Sequence, residues 1–221
     1  MTEPPFELRE YQTACVNACF ERTPGLKPGV LCCLPTNAGK TVIAAEVVKR
    51  TLQTEEGRKV VFLTPGGELA RQQTRVLLRH VGPEGLVLWP EGGDDSAAGN
   101  NDPKDSARWR LGMSIGGAHE EDASDIPTVP WRLAFQDCQC LVMTPALLVK
   151  CLQHAYIRMM DIALLVIDEA HNIGDKRDDK GMYRLLMTVY YPLVKQKQRP
   201  RVLALTASPI EQSGKQVRRK L

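Results

Sequence analysis

The chain has 221 residues, of which 43% are apolar and 25% are charged, a composition typical of a globular protein with a full core. Its longest apolar runs have the length of a strand, so we expect no membrane span and no membrane partner. Residues Met1 to Pro5 lack the basic start and the apolar stretch of a secretory signal, and we expect no signal peptide.

Short apolar runs alternate with segments of helical periodicity along the chain. The runs predict strands near Val30–Leu34, Lys59–Thr64, Gly85–Trp89, Gln139–Thr144, Ala163–Asp168 and Arg201–Thr206. The periodic segments predict helices at Glu7–Glu21, Lys40–Leu52, Glu68–Val81, Ala146–His154 and Met182–Val194. Strands that are apolar on both faces and alternate with helices predict an α/β fold. The expected architecture is a RecA-like, doubly wound parallel sheet with helices on both faces.

The segment from Trp89 to Pro130 interrupts this alternation. It is rich in Gly, Asp, Ser, Ala and Asn and has little hydrophobic periodicity, so burial cannot readily offset its ordering entropy. We therefore predict that residues 90–130 are a flexible, acidic surface insertion with a short helix around Ala107–Leu111. The rest of residues 1–221 is predicted to form one domain around it.

The net charge of +3 is unevenly distributed. The stretch from Glu91 to Asp125 carries nine acidic residues against three basic ones, which leaves +9 on the rest of the chain. Lys195 to Leu221 alone has eight basic residues against one acidic residue, Glu211. A basic surface attracts nucleic-acid phosphates, although a solvated basic tail explains this terminus equally well.

Seven cysteines lie mostly within apolar stretches, at positions 15, 19, 32, 33, 138, 140 and 151. An odd number of cysteines in a chain without a signal sequence favours reduced thiols, and therefore the cytoplasm or the nucleus. A zinc site is the alternative, but no Cys-x2-Cys pair recurs and the histidines are scattered. We expect core thiols, because free cysteine packs as a small hydrophobic residue.

The string Leu34-Pro-Thr-Asn-Ala-Gly-Lys-Thr41 follows a predicted strand and begins a predicted helix, the context of a phosphate-binding loop. Backbone N–H groups of such a loop converge on the β- and γ-phosphates of a nucleotide, and the helix N-terminus adds positive charge. Lys40 would supply a mobile cation, and the Thr41 hydroxyl would ligate Mg²⁺. An ordinary helix start explains Gly-Lys-Thr in isolation. The residues predicted to hold the nucleotide are Pro35, Thr36, Asn37, Ala38, Gly39, Lys40 and Thr41.

A second string, Val166-Ile-Asp-Glu-Ala-His171, ends a predicted strand in two adjacent carboxylates. We expect Asp168 to hold Mg²⁺ and Glu169 to polarise the attacking water as general base. Adjacent side chains point in opposite directions on a strand, which suits two separate roles. An acidic turn that caps the next helix is the alternative. Together, the two strings predict a nucleotide triphosphatase.

These strings resemble motifs I and II of superfamily 2 DEAD/DEAH-box helicases, and Thr206-Ala-Ser208 resembles motif III. Leu8-Arg-Glu-Tyr-Gln12 resembles the segment that reads adenine in this superfamily. Val60 to Gln73 is similar to motif Ia, and Leu141-Val-Met-Thr-Pro145 to motif Ib. Within the superfamily, His154 to His171, Tyr183 to Tyr191 and Arg201 to Pro209 most resemble the first RecA-like domain of Dicer-like proteins and innate RNA sensors.

This resemblance implies roles for further residues. Gln12 would contact adenine, and His171 would join Lys40, Asp168 and Glu169 in the catalytic set. Thr206 and Ser208 would couple the state of the γ-phosphate to movement, unless they only terminate a strand. The residues that would grip a nucleic-acid backbone are Thr64, Pro65, Gln72, Thr144 and Pro145. Turn chemistry explains each Thr-Pro pair equally well.

The sequence departs from the family pattern at three places. Asn37 replaces the usual Gly, and because Asn tolerates left-handed backbone, we expect a working loop with altered nucleotide affinity. Gly66-Gly67 stands in motif Ia where larger residues are usual, which would loosen a turn that contacts the backbone of nucleic acid. Ala170 replaces the Cys common in Dicer-type proteins and keeps the fork-remodelling DNA helicases as an alternative.

The resemblance implies an ATP- and Mg²⁺-binding half of a nucleic-acid-dependent ATPase, acting on double-stranded RNA. The alternatives are a DNA translocase and a non-catalytic module that binds nucleic acid or protein. The family's engine uses a second RecA-like domain, in cis or in trans, which supplies arginine fingers. The sequence shows no such domain, so we expect weak or no hydrolysis by this chain alone.

Overall fold

Seven parallel strands form one sheet in a computed structural model that describes residues 7–21, 29–82, 85–89, 109–114, 135–173 and 181–207. The strand order is β1-β7-β6-β2-β5-β4-β3, and every neighbouring pair is parallel. The strands are β1 (Gly29–Cys33), β2 (Lys59–Leu63), β3 (Leu86–Trp89), β4 (Trp109–Ser114), β5 (Cys140–Met143), β6 (Ile162–Ile167) and β7 (Arg201–Thr206). The predicted α/β fold is confirmed, and all six predicted strands are present within one residue at each end.

Helices connect the strands in the order that the sequence pattern predicts. They are α1 (Glu10–Ala18), α2 (Lys40–Thr54), α3 (Gly67–Val81), α4 (Pro145–Gln153), α5 (Met182–Leu185) and α6 (Tyr191–Leu193). The helix predicted at Glu7–Glu21 is shorter than expected, since α1 spans only nine residues. None of the helices within the described ranges has the length and apolar character needed to cross a bilayer.

The central strands β2, β5 and β6 are buried on both faces, as their continuous apolar runs predicted, whereas the edge strand β1 exposes Leu31 and Cys33. Successive strand residues belong to different core clusters, because side chains alternate between the faces of a sheet. Val60 and Phe62 pack with α1, α2 and α3, whereas Val61 and Leu63 pack with α4 and Tyr183. Both clusters are dense with fully buried aliphatic side chains, so the sheet gives its loops a rigid base.

β4 corrects the prediction for the acidic segment. Trp109–Ser114 lies between β3 and β5 in the sheet, so the predicted helix around Ala107–Leu111 is wrong, and so is the prediction of a flexible insertion at these positions. Trp109, Leu111 and Met113 are buried while Arg110 is exposed, which is the two-residue alternation of a strand. The remainder of residues 90–130 lies outside the described residues.

The last predicted helix, Met182–Val194, is irregular. Between α5 and α6 the chain makes a π-helical turn, Leu186–Tyr190. Pro192 has no N–H to donate to the carbonyl four residues earlier, so a regular α-helix cannot run through this point.

All seven cysteines are free. Five of them are buried, which confirms the core-thiol prediction for Cys19, Cys32, Cys138, Cys140 and Cys151. Burial raises the pKa of the Cys19 and Cys151 thiols to about 11, so both are protonated at neutral pH.

The placement of β4 can be tested with two neighbouring residues. Leu111 is fully buried, so we expect Leu111→Ala to lower the free energy of unfolding by about 2–5 kcal/mol. Arg110 is exposed on the same strand, and Arg110→Ala should change it by about 0.5 kcal/mol or less. Urea unfolding of both variants measures the difference. Equal, small effects would place this segment outside the core.

Candidate nucleotide-binding site

The predicted motifs converge on one edge of the sheet. Because the strands are parallel, their carboxyl ends lie together at this edge. The phosphate loop follows β1 and Asp168 follows β6, and only β7 separates these two strands. Thr206 ends β7 itself, so the three motifs lie on three consecutive strands. Thr64 and Thr144 follow β2 and β5 at the same edge.

The phosphate loop turns through two residues in the left-handed region. Asn37 has a φ of 63° and Gly39 a φ of 77°. Asn is among the few residues that adopt this conformation at modest cost, so the expectation that the loop tolerates Asn37 is confirmed for its backbone. The Ala38 N–H donates to the Pro35 carbonyl at 3.2 Å and closes the turn.

Lys40 lies against the start of this loop. Its Nζ donates to the Leu34 carbonyl at 2.9 Å and to the Pro35 carbonyl at 3.1 Å. Lys40 is also the first residue of α2, and no side chain caps that helix. The first N–H groups of α2 therefore face the loop together with a cation, an arrangement suited to bind a phosphate. Thr41, the next residue, is half-buried.

Helix α1 is tied to the phosphate loop through one carbonyl group. Tyr11 Oη donates to the Ala38 carbonyl at 2.8 Å, and the buried Gln12 donates to the same oxygen through Nε2 at 3.4 Å. Gln12 Oε1 accepts the Arg9 N–H at 2.9 Å. Both ends of the Gln12 amide thus make contacts within the protein. Its contact with adenine stays a prediction.

Gln12 also explains why position 39 is glycine. A Cβ added to Gly39 would lie 2.4 Å from Gln12 Nε2, much closer than any normal contact. Position 39 therefore combines a left-handed backbone with a place where a side chain would displace the Gln12 amide. The tie between α1 and the loop depends on this glycine.

Asp168 is buried at the end of β6, with both carboxylate oxygens engaged. Oδ1 accepts the Glu169 N–H at 3.0 Å, and Oδ2 accepts Gln73 Nε2 at 2.8 Å. Burial raises the pKa of Asp168 above its usual range, and the charge of Glu169 raises it further. The two hydrogen bonds and the charge of Lys40 act in the opposite direction.

Glu169, His171 and Thr206 form a chain of contacts from β6 to β7. His171 Nδ1 lies 3.2 Å from Glu169 Oε2 and 3.3 Å from Thr206 Oγ1. Glu169 is only partly buried, so its carboxylate can reach both the imidazole and solvent at the site. The structure thus brings together two residues that the sequence predicted as catalytic and one predicted for coupling. Ser208 lies outside the described residues.

Oxygen donors at this edge fit the Mg²⁺ ion that the resemblance implies. The Asp168 carboxylate and the Thr41 hydroxyl are hard ligands of the kind that Mg²⁺ prefers. Within the described ranges, no group of three or more His, Cys, Asp or Glu side chains is arranged to hold a metal. Mg²⁺ commonly binds through one or two carboxylates together with substrate phosphates, so it does not need such a cage.

The residues predicted to contact nucleic acid differ in exposure. Thr64 is fully buried, and its hydroxyl donates to the Gly66 carbonyl at 3.2 Å, which is turn chemistry. Pro145 is buried as the first residue of α4, and Thr144 is the half-buried cap of that helix. Pro65 and Gln72 are exposed at the same edge. Among these five residues, the Pro65 and Gln72 side chains are therefore the most accessible to solvent.

Sequence reasoning missed Gln73 and Tyr11. Gln73 stands beside the predicted Gln72, but on α3 it points inward to Asp168 while Gln72 points outward. A buried polar side chain on an amphipathic helix was the available signal, since such groups are paired when buried. The Tyr11 contact depends on the distance between α1 and the loop, which the sequence does not contain.

A cavity of about 380 Å³ lies at the opposite edge of the sheet. It is lined mainly by apolar side chains from the segments that precede β6 and β7, among them Ile157, Met159 and Leu193. No predicted site residue lines it. The cavity is therefore separate from the site at the carboxyl edge.

The glycine at position 39 gives a stability test of the loop. Gly57 has nearly the same left-handed φ, 76°, but open space around it, so Gly57→Ala should cost only about 1 kcal/mol of unfolding free energy. Gly39→Ala also displaces Gln12, and we expect a loss of about 2–3 kcal/mol. The cost of Gly39→Ala should be smaller in a Gln12→Ala background, where no Gln12 amide is left to displace. Equal losses at the two glycines, measured by urea unfolding, would contradict the described packing.

Comparisons with known proteins agree with this geometry. A family model of the DEAD/DEAH box helicases matches residues 9–217. The chain is 28% identical to Dicer-like protein 2 of Cryphonectria parasitica over 210 residues, covering 94% of this chain and 12% of that protein. It is 30% identical to Endoribonuclease Dicer homolog 1 of Arabidopsis thaliana over 193 residues, covering 82% of this chain and 8% of that protein.

A solved structure also matches, the Hef helicase domain of Pyrococcus furiosus, with a TM-score of 0.58 and 25% sequence identity. The match covers 93% of this chain and 34% of that one. The chain thus spans a minor part of the length of each of these relatives, in a region where the described fold is a RecA-like sheet. It belongs to the DEAD/DEAH box helicase family, as the first RecA-like domain of a superfamily 2 helicase.

Proposed function

We propose that this domain binds ATP and Mg²⁺ and is the N-terminal half of a nucleic-acid-dependent ATPase that acts on double-stranded RNA. The carrying observation is that the loop with Lys40 follows β1 and that Asp168 and Glu169 follow β6, at the carboxyl ends of two strands that only β7 separates. A phosphate cradle beside two carboxylates with different surroundings is what nucleotide hydrolysis requires. The similarity to Dicer-like proteins supports RNA as the nucleic acid.

The loop residues have the task of binding and orienting the nucleotide phosphates. Lys40 would leave the Leu34 and Pro35 carbonyls and transfer its donors to phosphate oxygens, while the N–H groups of the loop and of α2 stay in place. When bound through Thr41 and Asp168, Mg²⁺ would neutralise charge that develops on the phosphates. The backbone N–H groups already point toward the phosphate site, so they would need little reorganisation in the transition state.

Glu169 has the position of a general base. Its carboxylate is half-exposed, unlike that of Asp168, so water can reach it. The His171 imidazole beside it would stabilise the carboxylate when protonated and would pass changes at the γ-phosphate to Thr206. Hydrolysis at a useful rate would further need cationic groups from a second RecA-like domain, in cis or in trans.

A DNA translocase of the fork-remodelling type is the second candidate, and Ala170 in the Asp-Glu-Ala-His string is the residue that favours it. A non-catalytic binding module is the third. Removing the nucleotide site distinguishes the third candidate from the other two, because a scaffold should bind nucleic acid equally well with and without ATP.

Lys40 provides the test of nucleotide binding. Lys40→Ala removes a mobile cation from the phosphate site, and we expect binding of a fluorescent ATP analogue to weaken roughly 10- to 100-fold, because charge-assisted hydrogen bonds are lost. Lys49→Ala, on the same helix α2, removes the same charge away from the loop and should leave the affinity within about twofold. Fluorescence titration measures both. Similar affinities for the two variants would contradict the proposed site.

The choice of nucleic acid needs a separate test. Duplex RNA and duplex DNA of the same length and sequence are compared by fluorescence anisotropy at fixed salt, since phosphate contacts make affinity depend on ionic strength. We expect tighter binding of RNA, and a further gain with the ATP analogue that Lys40→Ala abolishes. Tighter binding of DNA would favour the translocase, and affinity unaffected by nucleotide would favour the binding module.

A further inference from the structure

Gln73 is a buried polar residue whose role the nucleotide site does not yet explain. It lies on α3, is only 5% exposed, and donates from Nε2 to Asp168 Oδ2 at 2.8 Å. The other carboxylate oxygen accepts the Glu169 N–H at 3.0 Å. A carboxylate with a fixed partner on each oxygen cannot rotate freely. Its remaining lone pairs therefore point in defined directions.

The orientation of the Gln73 amide is informative. Oε1 is buried and accepts no hydrogen bond among the described residues. Leaving a buried acceptor unsatisfied costs about 1–3 kcal/mol, so the amide is held in this orientation by a strong interaction at its other end. That end faces an ionisable carboxylate, and hydrogen bonds to charged groups are the stronger kind. The Gln73 amide and the Glu169 N–H therefore hold the Asp168 carboxylate in one orientation from two sides.

Thr74, the next residue on α3, provides a comparison for the hydrogen bond between Gln73 and Asp168. Thr74 is also fully buried, and its hydroxyl has no hydrogen-bond partner among the described residues. It therefore shares the burial of Gln73 without a hydrogen bond to Asp168. Gln73 and Thr74 are thus both buried, and only Gln73 donates a hydrogen bond to Asp168.

We propose that Gln73 is a positioning residue, which orients the Asp168 carboxylate as a ligand for Mg²⁺. This inference rests on the proposed function, since it gives a role to the metal at that site. Partners that hold a metal ligand in place typically contribute roughly 10- to 100-fold to metal affinity. Gln73 would act on the metal only through Asp168.

The test measures how Mg²⁺ changes the affinity of the 221-residue chain for a fluorescent ATP analogue. Gln73→Met keeps the volume and removes the donor, and we expect the Mg²⁺ concentration for the half-maximal effect to rise about 10-fold or more. Affinity in excess chelator should not change. Gln73→Glu adds a second carboxylate beside Asp168 and should disturb the Mg²⁺ response further. Thr74→Val is the matched control and should leave the Mg²⁺ response as in the parent.

A double-mutant cycle tests the contact without nucleotide. Unfolding free energies are measured for the parent, Gln73→Met, Asp168→Ala and the double variant, and we expect their effects to be non-additive because the two side chains interact. Additive effects would overturn the inference. So would an unchanged Mg²⁺ midpoint in Gln73→Met, or equal weakening with and without Mg²⁺. If the unmodified chain binds no nucleotide, both the proposed function and the role of Gln73 in Mg²⁺ binding are contradicted. The double-mutant cycle would still show whether Gln73 and Asp168 interact.

Discussion

Parallel hydrogen bonding among the neighbouring strands β1, β7, β6 and β2 is the constraint on which the site depends. The hydrogen bonds between neighbouring strands continue one residue beyond the ends of β1 and β6. The Leu34 N–H donates to the Thr206 carbonyl at 3.1 Å, and the Asp168 N–H donates to the Leu63 carbonyl at 2.9 Å. These bonds fix the first residue of the phosphate loop and the carboxylate proposed to bind Mg²⁺ relative to neighbouring strands. The loops can then vary in detail while their starting points stay fixed by these bonds and by the core on each face of the central strands.

Burial of the Asp168 carboxylate costs free energy, and its polar contacts offset part of that cost. Asp168 loses hydration at the end of a fully apolar strand, which raises its pKa and favours the neutral form. An N–H from Glu169, an amide from Gln73 and the charge of Lys40 restore part of the preference for the anion. A carboxylate balanced in this way would gain from a divalent cation, which replaces the lost hydration with direct charge neutralisation.

Periodicity and motif order were sufficient to predict most of the sheet, whereas features that tertiary contacts decide could not be predicted. Apolar runs located six strands within one residue, because the interior of a sheet covered by helices requires nearly continuous apolar residues. β4 was missed since its acidic surroundings hide the alternation of Trp109, Leu111 and Met113. Gln72 and Gln73 are indistinguishable by type, and only the rotation of α3 determines which one meets Asp168. Among residues predicted for nucleic-acid contact, the burial of Thr64 could not be foreseen from a Thr-Pro turn.

Two motif residues other than glycine have positive φ. They are Asn37 and Glu169, each in a segment that follows a strand end at the carboxyl edge, and Ala155 is the third such residue in the described part of the chain. For non-glycine residues this conformation costs about 1–2 kcal/mol, which surrounding contacts must compensate. At Glu169 the compensation is local: its N–H bonds to Asp168 Oδ1, its carbonyl accepts the Asn172 N–H at 2.9 Å, and its carboxylate meets His171. The bend turns Glu169 away from the line of β6, so two consecutive carboxylates have different surroundings, one buried and one facing water. That difference allows one to serve as a metal ligand and the other as a base.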